Sequence, residues 1–171
     1  MSKEPDFGAI CCCADLLAIA RVMEERSAER YREMAEAFEI SCNPDTANAF
    51  RELAEGEDRH AADFPALAGP PPRVMPWGEE DPEIADPDAV HYLMHPWHAF
   101  DLALRHEEKA LAFFSVLAEQ SPHADVKTEA ARLADRERGH VDHMKRRLAE
   151  TPRPPKDWWL DEDGPNWEAG D

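Results

Sequence analysis

The sequence predicts an all-α fold: an antiparallel four-helix bundle made of two helical hairpins, with a long crossover between the second helix and the third. Three observations carry this. Long stretches rich in Ala, Glu, Arg and Leu, all good helix formers, alternate with segments crowded with proline and glycine. Apolar residues recur at helical spacing within those stretches, and no alternating run is long enough for a strand. The connections are tight within each half of the chain and long between the halves, the pattern of two antiparallel hairpins.

The elements follow in order. The first helix is expected over 9–40, where Leu17, Glu24, Tyr31 and Phe38 recur every seven residues on one stripe. The run Cys11, Cys12, Cys13 opens it, read as small, partly buried residues, with a redox or metal role as the alternative. The second helix, 44–66, starts at Asn43-Pro44, with a good N-cap before a proline at the first helical position. Residues 65–97, "PALAGPPPRVMPWGEEDPEIADPDAVHYLMHPW", form the crossover, with a short helix expected near 87–94. His95-Pro96 and Ser121-Pro122 mark the starts of the third helix, 96–120, and the fourth, 122–150. A helix of ~22 residues is ~33 Å long, a span that a crossover of ~30 residues covers easily at ~3.3 Å per extended residue. Residues 1–150 are thus expected to form the bundle and 151–171 a Pro/Trp-rich acidic tail. The tail stretch "DWWLDEDGPNW" is expected to pack on its own bundle or a dimer mate, or to dock on another protein.

Composition narrows the partners. A chain of 171 residues with 43% apolar content can bury one core. Its net charge of −18 argues against nucleic acid or an anionic membrane surface. No apolar run approaches the ~18 residues of a membrane span, and the first residues lack the basic start and cleavage site of a signal peptide. A cytoplasmic location is the expectation. The four cysteines, Cys11, Cys12, Cys13 and Cys42, contain no Cys-x-x-Cys pair, so no zinc ribbon or rubredoxin-like iron site is encoded.

The halves repeat. "VMEERSAERYREMAE" (22–36) aligns with "RHEEKALAFFSVLAE" (105–119), matching Glu24 to Glu107 and Tyr31 to Phe114. "LAEGEDRH" (53–60) aligns with "LADRERGH" (133–140), matching Glu57 to Glu137 and His60 to His140. Each half therefore carries a Glu on its first helix and Glu-x-x-His on its second. Leu53, Glu57, His60 and Phe64 share one helix face, as do Leu133, Glu137, His140 and Met144, and Glu107 lies on a stripe with Phe100 and Phe114. Each apolar stripe is interrupted near its middle by ligand-type side chains. When the hairpins pack, Glu24, Glu57, His60, Glu107, Glu137 and His140 meet at one level of the core.

A buried, unpaired carboxylate costs several kcal/mol even after relaxation, and carboxylates at one level also repel each other. Two divalent cations would cancel four negative charges. Imidazole nitrogen with carboxylate oxygen suits iron or manganese better than magnesium or calcium. A Glu from each of two helices plus Glu-x-x-His from each of the others is a di-metal carboxylate arrangement known in helical bundles.

The motifs "EERSAERY" with "EDRH", and "HEEKALAFF" with "ERGH", resemble the ferritin-like superfamily, and within it the rubrerythrin-type branch, over about residues 9–150. The resemblance implies bridging carboxylates in Glu57 and Glu137, terminal carboxylates in Glu24 and Glu107, nitrogen ligands in His60 and His140, and two iron ions per chain, with manganese or zinc as substitutes. Rubrerythrins also carry a rubredoxin-like iron site and an extra Glu one turn from the ligand on the third helix. Here the cysteines are missing, and Leu104 and Ala110 stand at that spacing. A plainer six-ligand site, closer to that of ferritins and bacterioferritins, is expected.

Other residues are weighed beside these. Tyr31 either packs in the core with its hydroxyl on a neighbour, or bonds a metal ligand and could supply an electron. Glu25 and Glu108 read as surface acids, His95 and His98 as part of a helix start, and His106 and His143 as solvated residues off the ligand stripe. Three function classes follow: a di-iron oxidoreductase acting on peroxide or oxygen, an iron-oxidising and iron-storing protein, and a metal-stabilised structural bundle. A homodimer or small homo-oligomer is expected, with an external electron donor if the protein is a peroxidase.

Overall fold

In a computed structural model, residues 10–66 and 91–159 are described, and they contain four helices: α1 (Cys13–Ile40), α2 (Pro44–Ala62), α3 (Pro96–Gln120) and α4 (Ala124–Glu150). No strand occurs among the described residues. α1 lies along α2 and α3 along α4, and the two hairpins meet through α2 against α3 and α1 against α4. This is the ferritin-like four-helix bundle expected from the sequence.

Local chemistry explains the helix ends, including those that differ from expectation. α1 begins at Cys13 rather than residue 9, because the Asp15 carboxylate accepts the backbone N–H groups of Cys11 (3.0 Å) and Cys12 (3.2 Å) and so makes Cys12 the cap. Residue 9 itself lies outside the described residues. At α2, Asn43 accepts from the Thr46 N–H and donates its amide to the carbonyl oxygens of Met94 (2.7 Å) and Tyr92 (3.2 Å). One side chain thus caps α2 and fastens the end of the crossover to it. α2 stops at Ala62 rather than 66. Pro65 disfavours helix in the residue before it, and Arg21 donates to the carbonyls of Phe64 and Pro65.

The start of α4 is a correction. Pro122 is not its first residue and Ser121 is not its N-cap. Ser121 closes α3 with an extended backbone (ψ 137°), as expected for a residue preceding proline, and its hydroxyl accepts from the His123 N–H. His123 is the cap from which α4 starts. His95 does cap α3, with its N–H bonded to His98 Nδ1 at 3.0 Å. Of the short helix expected near 87–94, residues 91–94 form a turn, and the remainder lies outside the described residues, as do most of the crossover and residues 160–171. The tail folds back as far as it is described: Trp158 packs on His98 (ring centroids 4.0 Å apart), and Arg153 lies over Trp97.

Two apolar clusters build the core. One gathers Leu16, Ile19, Met23, Phe113, Phe114, Leu117, Val126 and Leu133; the other gathers Tyr31, Met34, Phe38, Phe50, Leu53, Phe100, Ala103 and Met144. On α1, α3 and α4 the candidate ligands fall between a segment of one cluster and a segment of the other, and those of α2 fall between Leu53 and Phe64, just past the helix end. A polar layer is therefore held between two apolar ones. No helix among the described residues is long and apolar enough to cross a membrane.

Candidate metal centre

The six residues matched by the internal repeat come together in that layer as two triads. Glu24, Glu57 and His60 each offer a ligand atom, all within 4.8 Å of one another, and so do Glu107, Glu137 and His140. The four carboxylates are buried, none more than 7% exposed. In the first triad, His60 Nδ1 faces Glu57 Oε2 at 3.2 Å and Glu24 Oε2 at 3.6 Å. In the second, His140 Nδ1 faces Glu137 Oε2 at 2.9 Å and Glu107 Oε2 at 3.4 Å. The half-buried imidazoles stack on each other, with ring centroids 3.9 Å apart and planes 5° from parallel.

Sequence explains why these side chains converge. Residues three apart share a helix face, so each Glu-x-x-His presents a carboxylate and an imidazole together. The helix paired with it in the hairpin supplies the third group. The pattern of burial along 51–60 is repeated position for position along 131–140, so the duplication in sequence is also one in space.

The electrostatics are those of a site short of positive charge. Burial pushes the Glu24 carboxyl up to about 7, against the pull of its bond with His60, and it pushes Glu107 up as well. Burial would lower the imidazoles, but bonds to their carboxylates outweigh it, raising His60 to about 9 and His140 to about 10. Without a cation, protons take its place. The donor set fits a metal ion: atoms ~2.1 Å from a common ion and at right angles about it lie ~3.0 Å apart, close to the Nδ1–Oε2 spacings within each triad.

Several features were not read from sequence. Arg136, half-buried, donates to Glu24 Oε1 at 2.9 Å and to the His60 carbonyl at 3.1 Å, and its guanidinium lies 4.5 Å from the centre of the Phe64 ring. Its signal was a mismatch in the repeat, since Gly56 stands at the matching position of α2. His106, expected to be solvated, is instead 5% exposed and shares a 2.9 Å hydrogen bond through Nδ1 with the Tyr31 hydroxyl. Burial lowers its imidazole to about 3, so it is neutral. The reason lies in the helix face: His106 matches Met23 of the first half, a core position. Tyr31 thus reaches the residue preceding Glu107. Glu25 and Glu108 are exposed, beside Arg21 and Lys145, and His143 is exposed too. None of the four cysteines is in a disulfide: Cys11 and Cys42 are exposed, Cys12 and Cys13 half-buried.

Comparison with known proteins agrees with this fold. The chain is similar to a crystal structure of an uncharacterised conserved protein from Magnetospirillum magnetotacticum MS-1, at 32% identity and a TM-score of 0.63, covering 84% of this chain and 97% of that one. No curated protein matches. The family model for rubrerythrin matches residues 15–148, a span that includes all six residues of the two triads, and the chain belongs to the rubrerythrin family.

Proposed function

We propose that the protein is a non-haem di-iron protein of the rubrerythrin and ferritin type, oxidising Fe(II) or reducing peroxide or oxygen at a carboxylate-bridged dinuclear site. The duplicated carboxylate–imidazole triad, buried between two apolar clusters, carries this reading. Glu24, Glu57 and His60 would hold one ion and Glu107, Glu137 and His140 the other, with Glu57 and Glu137 as bridging carboxylates. Bound iron supplies the electrons and the open coordination positions that such redox chemistry requires.

The chain's own residues do the rest. The imidazoles carry protons while the site lacks cations and release them to solvent on loading, because ligand nitrogens must be deprotonated. The clusters above and below keep bulk water out of the polar layer. Arg136 holds one oxygen of Glu24, leaving the other turned to His60. Tyr31 fixes His106 and through it the turn of α3 that carries Glu107. An external donor would return electrons, since the sequence holds no Cys-x-x-Cys pair. The reading includes a homodimer or small homo-oligomer in the cytoplasm, and manganese or zinc as substitute metals.

Anaerobic loading with Fe(II), elemental analysis and stopped-flow mixing with peroxide and with oxygen test this. Two irons per chain, oxidised on mixing, are expected. One or none would refute the paired site. Two irons that resist both oxidants would make the protein a metal-stabilised bundle. Iron accumulating beyond two per chain would make it a storage protein.

A further inference from the structure

Among the matched positions at which the two halves of the site differ, 56 and 136 stand out. Residues 56 and 136 occupy the same place in the repeat and both are half-buried. At 136 an arginine reaches across the edge of the site, touching Glu24, the ring of Phe64 and the His60 carbonyl. The matching surroundings of residue 56 are Glu107 (for Glu24) and Met144 (for Phe64). There the structure has a cavity of about 80 Å³, whose lining includes Gly56, Met144 and Glu107 together with Glu57, His60 and Arg59. The cavity lies where Arg136 has its side chain in the other half.

Neither backbone conformation nor crowding requires glycine at 56. It lies inside α2, and a Cβ added there would meet only the tip of Arg59, at 4.0 Å. Glycine within a helix is destabilising relative to alanine, so its presence here needs another reason. An empty space supplies one. The cavity exceeds the ~10–15 Å³ that one water molecule requires, and it touches carboxylates of both triads.

We propose that the Gly56 cavity is the port by which small oxygen species of the size of water, hydrogen peroxide or dioxygen reach the centre, and that Arg136 closes the equivalent port in the other half. The inference rests on the di-iron reading. It makes the centre one-sided: small molecules arrive beside Glu107, while Glu24 is held under a guanidinium.

Azide, a small linear anion, is the probe. Its association with the iron-loaded protein is followed by visible absorption, with iron content measured on the same samples. Gly56→Leu should keep two irons per chain and slow azide association by about tenfold or more. Gly139→Leu, the same change on α4 where an added Cβ meets nothing within 4 Å, should leave the rate unchanged. Adding Arg136→Gly to Gly56→Leu should restore fast association by opening the other side. If Gly56→Leu holds its iron and binds azide as fast as the wild type, the port is wrong while the di-iron reading stands. If the wild type takes up no iron, both fall. Should Gly56→Leu fail to load, Gly56→Met, whose unbranched chain can also fill the cavity, decides by the same criterion: slower association supports the port and an unchanged rate overturns it.

Discussion

Stripping the metal should make stability fall steeply as pH rises just above neutrality. In the metal-free fold His60 is raised to about 9 and His140 to about 10, because their bonds to buried carboxylates outweigh the burial that would lower them. In the unfolded chain both return to about 6.5. A raised folded pKa contributes stability that is fully present below the unfolded value and is lost as pH rises through the folded one. From about pH 7.5 to about pH 8.5 the native state therefore keeps two protons that the unfolded state has released. Each is worth about 1.4 kcal/mol per pH unit, so unfolding free energy should fall by about 2.7 kcal/mol per unit in that window. The assay is urea denaturation of chelator-treated protein at closely spaced pH values. His60→Gln should roughly halve the slope by removing one of the two groups. Iron-loaded protein should lose the decline, because its imidazoles hold metal in place of protons. A metal-free stability that is flat or rising over this window would refute the picture of protons standing in for cations.

Further outcomes follow from particular contacts. Tyr31→Phe should cost about 1–3 kcal/mol in thermal or urea unfolding, by leaving the buried His106 without its hydroxyl, whereas Tyr31→Phe with His106→Met, which installs the residues of the other half, should recover most of it. Zero coupling between the two positions would show that they do not act as a pair. Gly139→Ala should stabilise by about 0.5–1 kcal/mol, since the position is exposed within α4 and has open space around it; a loss would mean that another chain covers it. Asn43→Ala should cost about 1–2 kcal/mol, because the side chain both caps α2 and holds the carbonyls of Tyr92 and Met94.

Much of this architecture was legible before any coordinates. Helical periodicity, proline at helix starts and the lengths of the connections are local signals, and they placed all four helices. The helix ends were less legible, because they depend on partners. Asp15 moves the start of α1 by taking two backbone N–H groups, and Ser121 serves α3 instead of α4. The six residues of the triads could be found because a buried carboxylate is costly and because the pattern occurs twice. His106 was misplaced for a related reason. A lone histidine on an otherwise charged stretch reads as solvated unless the residue it faces is known, and Tyr31 lies 75 positions away.

What the sequence held but could not explain were the places where the halves disagree. Gly56 stands against Arg136, Met23 against His106, and Phe114 against Tyr31. In an alignment these are plain mismatches. In the fold they fall around one centre, and each makes its two sides unequal. Glu24 is bound by the Arg136 guanidinium, while its counterpart, Glu107, lines a cavity. One flanking cluster holds a tyrosine bonded to a neutral imidazole, where the other holds a phenylalanine and a methionine. A duplicated hairpin gives two like places for cations. In this chain those places differ, in access, in charge and in what lies behind each candidate ligand. The repeat thus accounts for the candidate ligand set, and the departures from the repeat are where the chemistry proposed for this chain should be sought.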